Sequence, residues 1–235
     1  IGVDVDDEGP IVAQFVEALR LQPVAVFLQP RAHNPTGVTT TRKRMKALAA
    51  EIESTDAVVI EDHHSGDIAT GALVSIGSWL PQRTVHIRSY SKSHGPDLRL
   101  AAVGGAGDVV SAVANRRLLG PGWSSRILQA VLLEMLDDIE TLHAVARART
   151  EYVRRRQLVA DVLDSRNVAV TGSDGINLWM TVADERSALV TLAAQGIGAA
   201  PGEPFQVRRD APHLRVTVGL IESDHERIAN QLAAA

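Results

Sequence analysis

Cysteine is missing from this sequence altogether, which excludes a disulfide framework and a thiolate metal site and makes a cytoplasmic location the simple expectation. No stretch approaches the ~20 uninterrupted apolar residues of a membrane span, and no signal peptide opens the chain, so a soluble protein without a membrane partner is expected. A basic surplus is lacking too. Lys and Arg total 24 against 28 Asp and Glu, a net charge of −4, whereas nucleic-acid binding needs a basic face. There are no repeats or low-complexity segments. At 235 residues the chain suffices for one large domain or two small ones. It begins at Ile1 rather than Met, and IGVDVDDEGP reads as the middle of a domain, so a fragment of something larger is expected.

Lysine is the scarcest of the charged residues: the 24 cations comprise 21 arginines and three lysines. Lys43 and Lys46 fall in a polar helical run with Arg42 and Arg44. Lys92 stands apart, in the stretch SYSKSHGPDLRLA from Ser89 to Ala101. An arginine is effectively always protonated, whereas a lysine amine can be desolvated, lose its proton and form a Schiff base with an aldehyde. Ser89 and Ser91 offer hydroxyls beside it, and Arg99 can form paired charge-assisted bonds to a phosphate. Together these groups suit an aldehyde that carries a phosphate; a surface loop with one solvated lysine is the plain alternative.

The surrounding pattern gives the loop a place. Ile11 to Arg20 has helical spacing behind Pro10, Val24 to Leu28 is a strand, and QPRAHNPTGV from Gln29 to Val38 is a loop. Thr40 or Thr41 can cap a helix reaching about Ser54, and Ala57 to Glu61 is a short apolar strand. Thr84 to Tyr90 and Leu100 to Gly104 are further strands, with Lys92 at the end of the first. This alternation predicts an α/β fold with a mainly parallel sheet, whose ligands bind beyond strand ends. Helices follow over 108–118, 124–137 and about 141–163, the last with Arg154, Arg155 and Arg156 together as a solvated face. From Val168 onward the pattern is a compact α+β unit: strands near Val168, over 176–182 and over 214–218, a helix over 184–195 and a closing helix. The expected division is therefore 1–140, a connecting helix over 141–165, and a small domain over 166–235.

In the cluster Glu61, Asp62, His63, His64 and Asp67, carboxylate and imidazole are both metal ligands. No metal is expected there, because adjacent His63 and His64 on extended backbone point apart and no second such cluster supplies the missing ligands.

SKSHGPDLRLAAVGG, with its arginine seven residues after the lysine, resembles the pyridoxal phosphate (PLP) lysine loop of fold-type-I aminotransferases. It is most similar to the aminotransferase-like domain of MocR-type members of the GntR regulator family. The similarity runs from about Val24 to Glu222 with the motifs in family order. It implies part of a large PLP-binding domain and a small C-terminal domain. It also implies that Lys92 holds PLP covalently, with Ser89 and Arg99 on the phosphate and Asn34 of AHNPTG on the cofactor's O3′. Asp62 would pair with the pyridine nitrogen, His64 would stand where the family has a tyrosine on O3′, and Arg215 of LRVTVGL would grip a carboxylate. Further implications are an amino acid or amino-acid-like effector, a homodimer, and DNA binding only through a winged-helix domain outside this chain. The glycine-rich phosphate turn and the ring-stacking side chain of the family are not found here, so the chain by itself is expected to bind PLP poorly. A piece of a free-standing aminotransferase is the other function the resemblance allows.

Overall fold

In the computed structural model, which describes residues 1–208 and 211–235, the chain opens with a hairpin of β1 (Val5–Asp6) and β2 (Gly9–Pro10). Pro10 therefore lies in a strand, and α1 (Val12–Leu19) begins two residues later. Arg44 pins the hairpin, donating to Asp6 and to the carbonyls of Gly9 and Pro10.

A four-stranded sheet follows in the order β3 (Ala25–Leu28), β4 (Val58–His63), β5 (Thr84–Ser89), β6 (Ala101–Gly105). Between β3 and β4 runs α2 (Arg42–Glu53), whose N-cap Thr41 accepts from the Arg44 amide. Its Met45, Leu48, Ala49 and Ile52 recur at helical spacing and are all buried, packing with Phe15, Leu19, Leu28 and Val59 in one core. The first two pairings of the sheet are parallel, as expected. The third, β5 with β6, is antiparallel. Residues 90–100 connect them without a long helix, and a parallel return needs a crossover of a dozen or more residues.

Beyond β6 lie α3 (Gly107–Leu118), α4 (Arg126–Asp137) and the long α5 (Ile139–Ser165). Asp138 caps α5 by accepting from the Thr141 amide. The second sheet is antiparallel throughout, in the order β7 (Val170–Thr171), β8 (Asn177–Thr181), β10 (His213–Thr217), β9 (Ala200–Pro201), with α6 (Glu185–Ala194) and α7 (His225–Ala233) beside it. Its core joins Leu178, Met180, Leu192, Leu214, Val216 and Leu232 to Val159 and Leu163 of α5. The C-terminal half of α5 thus belongs to this core rather than only connecting to it. No helix among the described residues is long and apolar enough to cross a membrane.

The arginine run on α5 does not form a solvated face. Successive helical residues are turned by about 100°, so three in a row cannot face one way. Arg154 is exposed, Arg155 reaches the Gly219 carbonyl, and Arg156 is buried, donating to the carbonyls of Thr171 and Gly172.

Candidate functional site

Lys92 follows the C-terminal end of β5, on a turn where the amide of His94 bonds the carbonyl of Tyr90, and Tyr90 closes the loop onto Leu100. Buried Leu98 and Tyr90 pack with Leu132 of α4 and anchor this loop while Lys92 itself stays exposed. Its side chain borders a small cavity of about 60 Å³, shared with Asn34, His64, Asp174, Asn177 and Arg215. Four residues singled out in the sequence, Asn34, His64, Lys92 and Arg215, therefore meet at one place although 181 positions separate the first and last.

Asn34 is held between the two sheets. Its backbone amide donates to Gln29, while its Oδ1 accepts from Arg215 at 3.3 Å and from Asn177 at 3.5 Å. Its Nδ2 donors have no partner among the described residues. Arg215 projects from β10, with its guanidinium 4.5 Å from the Phe205 ring centroid and its buried Nε without a hydrogen bond. Asp62, near the end of β4, accepts from Gln29 Nε2 at 3.0 Å, so Gln29 fixes both Asn34 and Asp62.

His64 donates from Nε2 to the carbonyl of Ala32 at 3.0 Å, which leaves Nδ1 the acceptor, with the Ser65 hydroxyl 3.3 Å away. Burial lowers its pKa, with a smaller opposing effect from Asp62, and the Lys92 charge lowers it further. His64 is thus a neutral imidazole whose N–H already has a carbonyl partner, unlike the phenol of a tyrosine.

Ser89, Ser91 and Arg99 lie on the same β5–β6 connection but do not line the small cavity. The Ser89 hydroxyl accepts from the Ser91 amide, and Arg99 is exposed at a positive φ of 49° with no side-chain hydrogen bond among the described residues.

Asp174 is a residue the sequence pattern missed. It lines the cavity, is buried, and accepts five hydrogen bonds, from the amides of Thr70, Gly71 and Gly175 and the hydroxyls of Thr39 and Thr70. Burial alone would raise its carboxyl pKa, and these donors more than offset that and lower it.

A larger cleft of about 910 Å³ opens on the other side of His33, between β3, the N-terminal residues and Phe205. Burial first, then the neighbouring His64, pushes the His33 pKa down from 6.5 to about 4. Its folded value lies below its unfolded one, so the unfolded chain takes up the proton first and stability falls as pH drops from about 6.5 towards about 4. Allowing for partial exposure, we expect wild type to lose about 1–2 kcal/mol more than His33→Gln between about pH 7 and about pH 5. Urea unfolding at the two pH values measures the difference, and equal losses in both proteins would assign the acid sensitivity elsewhere.

Over residues 6–232 the chain matches the family described as aminotransferase class I and II. It is 36% identical over 241 residues to the vitamin B6 salvage pathway transcriptional repressor PtsJ of Salmonella typhimurium, covering 99% of this chain and 54% of that protein. It is also 30% identical over 220 residues to the transcriptional regulator TauR of Rhodobacter capsulatus, covering 87% of this chain and 43% of that one. The chain thus spans about half the length of the curated relatives it matches. Among solved structures, a Thermus thermophilus aspartate aminotransferase double mutant superposes with a TM-score of 0.89 at 22% identity, over 100% of this chain and 63% of that one. A Pyrococcus horikoshii kynurenine aminotransferase, crystallised with PMP, gives 0.88 at 22% identity, over 99% and 61%. The shared fold explains why a strand-end lysine, a loop asparagine after β3 and an arginine from the second sheet converge. The family match over almost the whole chain adds common descent: this protein is a fold-type-I aminotransferase-like domain and belongs to the aminotransferase class I and II family.

Proposed function

We propose that this chain is the PLP-binding, effector-sensing part of a MocR-type regulator of the GntR family, whose DNA contacts are made by a domain outside it. The observation that carries the reading is the meeting of Lys92, Asn34, His64 and Arg215 at one cavity, in a chain whose relatives PtsJ and TauR are transcriptional regulators. The residues fit the cofactor by chemistry: an exposed lysine at a strand end, an amide with free N–H donors, a carboxylate steadied by Gln29, and hydroxyls and a free guanidinium on the lysine's own loop.

When bound, PLP supplies an electron sink for its amino substrate. Lys92 would hold it covalently. Ser89, Ser91 and Arg99 would bind its phosphate, and Asn34 would donate to O3′. Asp62 would face the pyridine nitrogen, where a carboxylate favours the protonated ring. His64, neutral and already bonded to Ala32, would fill the place of a tyrosine without donating as one does. Arg215 would bind the carboxylate of an amino acid or amino-acid-like effector. A homodimer would cover apolar surface such as Leu118, Leu119, Trp123 and Ile127, all strongly exposed here.

In the full-length gene product, where the rest of the pocket is supplied, reaction with PLP, borohydride reduction and peptide mass spectrometry should give an adduct on Lys92 in preference to Lys43 and Lys46. Pyridoxal without its phosphate should lose that preference, and so should Arg99→Ala. Labelling spread evenly over the three lysines would overturn the cofactor assignment. In the full-length gene product, amino-group exchange between an amino acid and a 2-oxo acid without DNA binding would favour the free-standing aminotransferase instead.

A further inference from the structure

On the sheet face turned away from Asp62, three side chains have no use in the cofactor reading. Burial alternates along β4, so Val59, Glu61 and His63 face the core while Asp62 faces the other way. In the parallel register Glu61 lies directly across from His86 of β5. Glu61 is 0% exposed and His63 is 3% exposed, so a carboxylate and two imidazoles are gathered largely inside the protein.

Their hydrogen bonding is incomplete in a directed way. Glu61 Oε1 accepts from the Ile76 amide at 2.6 Å, which fixes the carboxylate and turns Oε2 towards the histidines. Oε2 then lies 3.7 Å from His63 Nε2 and 3.6 Å from His86 Nδ1, too far for hydrogen bonds. Oε2 and both ring nitrogens of His63 are buried without hydrogen-bond partners. Unpaired buried polar atoms are costly, so groups kept in this arrangement call for a shared partner.

We propose that Glu61, His63 and His86 form a binding site for a divalent transition-metal ion of the zinc class. Ligands about 2.0–2.2 Å from a tetrahedral zinc stand about 3.3–3.6 Å from one another, close to the two carboxylate–imidazole separations here. All three ligand atoms lie within 4.8 Å of one another. The rings of His63 and His86 are stacked, with centroids 3.9 Å apart and planes 23° from parallel, so both present a nitrogen to the same carboxylate. Final convergence requires the rings to turn towards each other, and His86, one-third exposed, has room to do so. Two imidazoles and one carboxylate leave a fourth position for water.

The charge balance is compatible. The nearby cations Arg31 and Arg88 are matched in part by carboxylates: Arg88 pairs with Asp67 at 2.8 Å, and Asp67 and Asp174 both act on Arg31. A bound ion would join β4 to β5 directly behind Asp62, and so brace the strand that carries it. The proposal uses none of the PLP assignments and stands or falls without them.

The test is metal binding by the chain after chelator treatment. Cobalt(II), the spectroscopic stand-in for zinc, should bind with one-to-one stoichiometry, show the visible bands of a low-coordinate nitrogen–oxygen site, and be displaced by zinc. Removal of groups that merely support a metal ligand costs about 10–100-fold in affinity, so loss of a ligand in His86→Ala should weaken binding at least about a hundredfold. Position 86 is partly exposed, so this variant should keep the wild-type circular dichroism even where Glu61→Gln fails to fold. His143→Ala, which removes an exposed histidine on α5, should bind as wild type does. Zinc should raise the melting temperature of wild type and of His143→Ala but not of His86→Ala. Absence of saturable binding, or equal affinity in His86→Ala and wild type, would overturn the proposal.

Discussion

Replacing Asp174 by alanine should destabilise the protein by about 3 kcal/mol or more, the sum of several charge-assisted hydrogen bonds and the donors left behind. One carboxylate here joins three parts of the chain: Thr39 beyond the AHNPTG loop, Thr70 and Gly71 beyond β4, and its own turn at Gly175. Truncation leaves the amides of Thr70, Gly71 and Gly175 and two hydroxyls without their acceptor, and the collapse of a charged site does not re-pair them. Asp174→Asn keeps an oxygen for some of these donors, so it should fall between alanine and wild type. The pH dependence has a definite sign. The folded pKa is lowered below 3.8, so the stabilisation is fully present above the unfolded value and is lost as pH falls through the folded one. Chemical denaturation of wild type, Asp174→Asn and Asp174→Ala at neutral pH gives the ranking. A loss under about 1 kcal/mol in Asp174→Ala would mean that water replaces the carboxylate at little cost.

Asp174 also shows what the sequence could and could not disclose. In GSDGIN it is one half of an Asp-Gly pair, the commonest turn signal, and nothing local distinguishes a solvated turn aspartate from a buried clasp. Four of its five hydrogen bonds come from residues more than a hundred positions away. Lys92 stood out as the one lysine in a run of hydroxyls and breakers, whereas Asn34 of AHNPTG and Arg215 of LRVTVGL were implied only by the resemblance of their motifs, since a turn asparagine and a strand arginine are ordinary by themselves. Gln29 was not, since a glutamine after a strand has many uses, and only the fold shows it bridging Asn34 and Asp62. His86 was hidden for a different reason. Along TVHIRSY it is an ordinary member of a strand, and its value as a ligand depends on cross-strand register, which sets it opposite Glu61. No second cluster of ligands stands near His63; what the register adds is the single imidazole of His86, 3.6 Å from Glu61 Oε2. His63 and His64 do face apart, as their adjacency requires, one towards Glu61 and the other towards Ala32. Parallel pairing was legible from alternation up to β5. The antiparallel return of β6 depended on counting the connection.

Arg215→Lys should weaken binding of an amino-acid effector by roughly ten- to a hundredfold while PLP stays on Lys92, since losing a charge-assisted pair costs about 1.5–3 kcal/mol. The substitution keeps the positive charge, so a loss of this size isolates geometry. In β10, Leu214 and Val216 are buried while Arg215 lies between them on the opposite face, directed at the cavity that Lys92 borders. Its planar guanidinium is positioned on two sides: over the Phe205 ring, 4.5 Å from the centroid, and against Asn34 Oδ1, to which it donates at 3.3 Å. An ammonium cannot reproduce that stacking, nor offer two parallel N–H groups to a carboxylate. The contact with Asn34 also links the effector's carboxylate to the residue proposed to face O3′, so a ligand drawn to Arg215 would be sensed where the cofactor is held. The measurement is the change in cofactor absorption of the PLP-loaded full-length protein on titration with candidate amino acids, in wild type and Arg215→Lys. Phe205→Leu, which removes only the stacking surface, should give a smaller loss in the same assay. If Arg215→Lys retains both its cofactor and its amino-acid affinity, the carboxylate is bound by another group and the sensing role of β10 is wrong.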